Sequence, residues 1–258
     1  MFFRNESFKD FIRYYPIVSI IIGFQLIVWL LMFFQLRIGD FIYDWGVGLN
    51  IAVSHGQYWR LVTPIFMHDR SGFTHILFNS FSLVLFGPAL EQMLGRWKFS
   101  FVYLASGFIG NVFTYFVAPQ SLNFHLGASG ALFGLLGLYV YMSFFRPHLL
   151  DPVSKQMIIM FSLISLVMTF LRPGINVSAH LFGFVGGFAL GPIVLTRAKP
   201  FSPSLVRRRV VVNDGTVRFD PNRWNKRGFR MNRNVSSIIW WVIFILAIIG
   251  LLGNFLIW

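Results

Sequence analysis

Cysteine is absent from this 258-residue chain, and Asp and Glu together number only nine. The first absence excludes disulfides, thiolate metal sites and a cysteine nucleophile. Charge is scarce altogether. Charged residues make up 12%, against about 25% in ordinary soluble domains. Also missing are an internal repeat, a sizeable soluble domain and a small-residue cleavage site after the first apolar run, so no cleavable signal is expected. What is abundant is apolar: the chain is 56% hydrophobic and contains 32 Phe. One soluble core cannot hide that much apolar surface, so the membrane is the expected solvent.

Seven apolar runs, near residues 16–35, 73–94, 98–118, 127–145, 155–171, 178–196 and 236–257, have the length to span a bilayer. A bilayer needs about 20 residues per helix. The expected fold class is an all-α polytopic membrane protein. Pro16 opens the first run, a natural first-turn residue. The fifth run is the shortest and stops before "RPGIN". With the N-terminus in the cytosol, the inner segments hold Arg4, Lys9, Arg13, Arg96, Lys98, Arg146 and Lys155, with eleven more basic residues from Arg197 to Arg233. The outer segments then hold only Arg37, Arg60, Arg70 and Arg172. That asymmetry predicts a cytoplasmic N-terminus and an extracellular C-terminus. The net charge of +13 is therefore read as a topology signal with contact to anionic membrane lipids, not as a nucleic-acid surface.

The chain divides on this basis into a cytosolic segment 1–15, a six-helix region 16–196, a basic cytosolic loop 197–235 and a seventh helix within 236–258. In the basic loop, "RRVVVNDGTVRF" carries a hairpin signal around Asp214 and Gly215.

The second, fourth and sixth runs all pass from outside to inside, so their N-terminal ends share one depth. Polar residues gather there: His75 and Asn79 in "HILFN", Ser129 in "GASG" and His180 in "SAHLFGFVGG". Ionisable groups within a membrane default to a functional reading. Taken singly, a serine packs or bonds its own helix, and a histidine bonds a neighbour. Their joint occurrence at one depth is harder to explain by packing. Gly130 and Gly134 on the fourth run, and Gly183, Gly187 and Gly191 on the sixth, form small-residue stripes that allow close backbone approach. If these stripes meet, His180 meets Ser129. The chemistry permitted is acyl transfer, with His180 as base for the Ser129 hydroxyl. The Ser129 backbone N–H, His75 and Asn79 are available for the oxyanion. No carboxylate lies at this depth, which points to a Ser-His dyad. His125, four residues before Ser129, is an alternative base.

Together "YWRLVTPIFMH", "HILFN", "EQMLG", "GASG" and "HLFGFVGG", in this order, resemble the rhomboid intramembrane serine proteases over about residues 15–196. The resemblance implies a six-helix core with one added C-terminal helix, as among bacterial rhomboids, in the bacterial cell membrane. It implies Ser129 as nucleophile, His180 as base, and an oxyanion hole of His75, Asn79 and Ser129. It makes Trp59 and Arg60 anchors of the first outer loop, and Glu91 an internal hydrogen-bond hub. Phe133 falls where a tyrosine often stacks on the catalytic histidine. No cofactor or metal is implied. The implied substrates are single-pass transmembrane proteins, cut at a helix weak enough to unwind. Backbone amides in lipid are otherwise tied up in helix bonds. The fifth helix and "RPGIN" would form a gate and cap. Two other readings stand beside this one. The first is a catalytically inactive relative that binds membrane clients for quality control. The second is a transporter or proton relay using His75 and His180, without the repeats, broken helices and mid-membrane carboxylates expected of that class.

Overall fold

A computed structural model describes Phe2 and residues 6–202. The hairpin signal near Asp214 and the seventh apolar run lie outside the described residues, as does most of the basic loop. Nine α-helices are found among the described residues: α1 Phe8–Tyr14, α2 Pro16–Phe33, α3 Arg37–Gly46, α4 Asn50–Ser54, α5 Thr74–Leu94, α6 Arg96–Val117, α7 Ser129–Phe145, α8 Pro152–Leu171 and α9 Val177–Val194. Five of these, α2, α5, α6, α8 and α9, are long and apolar enough to cross a membrane, and α7 is a shorter apolar helix. The chain is a polytopic helical protein, with the first six apolar runs each forming a helix. Two short strands, β1 Gly48–Leu49 and β2 Phe124–His125, pair antiparallel, Gly48 opposite His125.

The fifth run corrects an expectation. It is not the shortest helix. α8 has 20 residues and α7 has 17. The Asp151 carboxylate caps α8 by accepting from Ser154 N–H at 2.9 Å, and Pro152 takes the first turn. Both are ordinary start signals, and they set the helix three residues earlier than hydrophobicity alone does.

α7 is the hub. At about 1.5 Å per residue, 17 residues span roughly 25 Å, less than a bilayer's hydrocarbon. Gly130 through Tyr139 are all buried, and a helix apolar and buried all round belongs in the middle of a bundle. Its N-terminus therefore ends within the protein, with Ser129 as its first residue. The outer helices face the other way. α2 exposes Ile20, Phe24 and Ile27, and α8 exposes Leu163, Ile164 and Val167, as lipid-facing surfaces do.

Polar side chains fasten the parts that apolar contact cannot orient. Gln25 of α2, fully buried, donates to Ile65 O at 3.2 Å and to Tyr103 Oη at 2.9 Å. Asn111 of α6 donates to Leu61 O at 2.9 Å, and Asn50 donates to Thr114 O and Ala118 O. These amides tie the segment between α2 and α5 onto the bundle. α3, in that segment, exposes Ile38, Phe41 and Trp45. Their spacing of three and four puts them on one helical face.

Candidate active site

The glycine stripes bring α7 and α9 into backbone contact. A Cβ added at Gly183 would overlap the carbonyl of Gly130, and one at Gly187 the carbonyl of Gly134. A Cβ at Gly134 would in turn strike Ser106 of α6 and lie 3.1 Å from Gly183 O. At the end of this seam where α7 and α9 begin, His180 Nε2 lies 2.7 Å from Ser129 Oγ. Asn176 fixes the start of α9. Its Oδ1 accepts from Ala179 N–H at 3.0 Å and from Thr114 Oγ1 at 3.0 Å, locking the turn that carries His180. Phe133, one helical turn beyond Ser129, stacks on the His180 ring with centroids 4.2 Å apart and planes 18° from parallel. The imidazole is therefore held on one face by a ring and at one edge by the serine.

His180 is buried, as is Asn79. The Asn79 amide nitrogen, Nδ2, has no hydrogen-bond partner among the described residues. An unsatisfied buried donor costs free energy and is what an oxyanion site keeps in reserve. His75 accepts a long hydrogen bond, 3.4 Å, from Asp69 N–H at its Nδ1. That places the ring proton on Nε2. Nε2 lies toward Gly127: a Cβ there would come within 2.8 Å of it and 3.6 Å of Ser129 Oγ. Gly127 has φ +133°, which favours glycine, so the backbone itself makes room for the imidazole beside the serine. The N–H groups in the first turn of α7 have no intrahelical acceptors, and the helix dipole adds positive potential there.

His125 is not joined to Ser129. It sits on β2, partly buried, with its Nε2 unpartnered. Burial pushes its pKa down to about 4.

The anchors lie where loop and helices join. Arg60, 7% exposed, donates to Gln57 Oε1 and Val47 O at 2.6 Å and to Asp44 O at 2.7 Å. Three acceptors from three points of the loop engage all three nitrogens of its guanidinium. Trp59 donates its indole N–H to Trp45 O at 2.9 Å and stacks on the Trp45 ring. Glu91, 3% exposed, accepts from Ile17 N–H at 3.0 Å and Val18 N–H at 2.9 Å. It caps the first turn of α2 from the far end of α5, where the alternative was a solvated carboxylate.

Sequence reasoning missed two residues. Thr169 of α8 places Oγ1 2.9 Å from His180 Nδ1. One hydroxyl among the several on α8 gives no signal, because which of them faces the site depends on how α8 is rotated in the bundle. His68, fully buried with neither ring nitrogen partnered among the described residues, packs edge-on to His75 at 5.1 Å. It closes the motif "YWRLVTPIFMH", which drew notice for its Trp-Arg pair. Among the described residues no cluster of three or more His, Cys, Asp or Glu could hold a metal.

A family model described as Rhomboid domain matches residues 55–197, more than half of the chain. The chain belongs to the rhomboid family. It is thereby a multi-pass membrane protein of the serine-type intramembrane protease class. It is 47% identical over 192 residues to "Putative rhomboid protease YdcA" of Bacillus subtilis (strain 168), covering 74% of this chain and 94% of that one. It is 33% identical over 184 residues to "Rhomboid protease GluP" of the same organism, and 31% identical over 238 residues to "Rhomboid-type serine protease 2" of Emericella nidulans. Those matches cover 69% and 82% of this chain, but only 35% and 45% of the relatives.

Proposed function

We propose that this rhomboid cleaves single-pass transmembrane proteins by a Ser-His mechanism, with the working parts in residues 16–196. The observation that carries the reading is the 2.7 Å contact of His180 Nε2 with Ser129 Oγ, at the end of a seam too tight to shift. His180 takes the Ser129 proton as Oγ attacks the scissile carbonyl, then gives it to the departing amine. The tetrahedral oxyanion forms beside three donors: the Ser129 backbone N–H, Asn79 Nδ2 and His75 Nε2. The attack needs an amide released from helix bonding, so the substrate segment is one that unwinds readily near the outer surface. The orientation has the N-terminus in the cytoplasm of a bacterial cell and the polar helix ends toward the outside. Basic residues from Arg197 onward meet anionic lipid, and the apolar run at 236–257 adds a seventh span.

The test uses the full-length protein in liposomes, a single-pass substrate and a fluorophosphonate probe. Wild type is expected to cleave and to label. Ser129→Ala and His180→Ala each abolish cleavage, and the double variant is no worse than either, since residues acting as one unit are not additive. Cleavage by a folded Ser129→Ala protein overturns the assignment. A wild-type protein that binds the substrate yet neither cuts nor labels favours the inactive, client-binding reading. His125→Ala stays active.

A further inference from the structure

Among the described residues no carboxylate is bonded to His180, yet its second nitrogen is not idle. Thr169 Oγ1 is 2.9 Å from His180 Nδ1 and also 2.9 Å from the carbonyl of Ser165, one turn back on α8. A hydroxyl has one proton and two lone pairs. Thr169 is 2% exposed, so bulk water does not compete for either. Donation to Ser165 O commits the proton along the helix, a usual arrangement for threonine in apolar helices. What Oγ1 then presents to the imidazole is a lone pair, and Nδ1 must carry the ring hydrogen. Nε2 is left bare, facing Ser129 Oγ at 2.7 Å. That is the tautomer a base needs. In the opposite tautomer Nε2 carries hydrogen, and the Ser129 proton finds no acceptor on the ring.

Building on the assignment of Ser129 and His180 above, we propose that Thr169 is a positioning residue, fixing the His180 tautomer in the place an acidic residue holds in a triad. When Ser129 gives its proton to Nε2, the ring becomes an imidazolium with hydrogen on both nitrogens. The Nδ1 hydrogen stays bonded to Thr169 throughout, so no second transfer occurs. A neutral acceptor suits this site, because a buried carboxylate carries a heavy desolvation cost. The oxygen is delivered by a single stripe. The buried residues of α8 are Ser154, Ile158, Ser162 and Thr169, and the acceptor reaches the ring only while that stripe stays turned inward.

The experiment compares Thr169→Val, Thr169→Ser and Thr169→Ala in the full-length protein in liposomes. It measures fluorophosphonate labelling rate, kcat and KM on a single-pass substrate, and thermal unfolding. Valine keeps the branched shape and removes the hydroxyl. Serine keeps the hydroxyl and removes the methyl. Valine and alanine are expected to lower kcat and labelling by roughly 10²-fold, the lower end of what general-base catalysis contributes, with KM unchanged. Serine is expected to restore most of the rate. If valine does not fold, the serine-alanine pair, differing by the hydroxyl alone, decides. Wild-type rates in valine or alanine overturn the proposal. So does serine as slow as alanine, which would assign Thr169 to packing. Labelling that survives Ser129→Ala would instead sink the nucleophile assignment itself, whatever the Thr169 variants do.

Discussion

α8 and α9 both touch the site, and they are held in opposite ways. α9 meets α7 through glycines, backbone against backbone. Besides Gly183 and Gly187, a Cβ at Gly137 would overlap Phe184 O across the same seam. α8 keeps four side chains buried in 20 residues, three of them hydroxyl-bearing, and turns Leu163, Ile164, Val167 and Phe170 outward. Backbone contact has no rotamers to adjust, so the geometry of Ser129 and His180 is set when α7 and α9 associate. Side-chain contact along one stripe can be made and unmade. The pair proposed to react, Ser129 and His180, rests on the rigid seam, and the group proposed to orient the base arrives on the looser helix.

The sharpest way to break this contrast is to put bulk into the seam. Gly187→Val would set two methyls against the carbonyl of Gly134. Backbone cannot yield as a flexible side chain does, and overpacking even an ordinary core costs about 1–3 kcal/mol. Loss of both folding yield and fluorophosphonate labelling is expected. Native unfolding temperature with full labelling would show that the seam is loose and the comparison misdrawn.

That seam was legible in the sequence because glycine at four-residue spacing on apolar helices leaves little else to expect. The polar residues at one depth were legible for a similar reason: His and Asn are costly in a membrane and stand out. α8 was not. Its start at Asp151-Pro152 is written in capping chemistry, which a hydrophobic count passes over. Its contribution, Thr169, depends on helix rotation, and a threonine in such a helix is unremarkable. α3 lies in the segment anticipated only as the first outer loop. Its helical order comes with the capture of Arg60 by Val47 O and Asp44 O, a contact between residues that spacing alone does not join.

A smaller effect, on rate alone, is expected at α5. Asn79 Nδ2 has no partner among the described residues, so its removal orphans no acceptor there and stability should hold. Loss of one oxyanion donor costs about 10²–10³-fold in kcat. Asn79→Ala should fall in that range and keep residual turnover, with His75→Ala similar or lower. Unchanged rates in both variants would reduce these residues to braces of helix α5.

The two faces of α8 give a milder measurement. Ile158 is fully buried, whereas Leu163 is 62% exposed. Truncating a buried isoleucine to alanine costs about 2–5 kcal/mol in soluble cores, and an exposed site is usually within about 0.5 kcal/mol. Ile158→Ala should lower the unfolding temperature clearly and Leu163→Ala barely. Equal losses would mean that α8 is held as firmly on its outer face as on its inner one.

The smallest effect concerns the segment between α2 and α5, where neither ring nitrogen of His68 is hydrogen-bonded among the described residues. Burial first, and the neighbouring His75 second, push its pKa down to about 3 from an ordinary 6.5. His68 is thus neutral in the folded protein at neutral pH. Between those two values the unfolded chain binds a proton that the folded chain refuses. Stability therefore rises with pH across that window. It is fully present above about 6.5 and is lost as pH falls toward 3. His125, held down to about 4 by burial, acts in the same sense over a narrower range. The unfolding temperature should be level near neutral pH and decline below about 6.5. In His68→Gln, which keeps a polar side chain and cannot titrate, the decline should be shallower, though His125 still contributes to it. An identical slope in the variant would mean that acid enters the fold elsewhere. A steeper one would mean that protonated His68 finds a partner in the folded loop, contrary to its burial against the His75 ring.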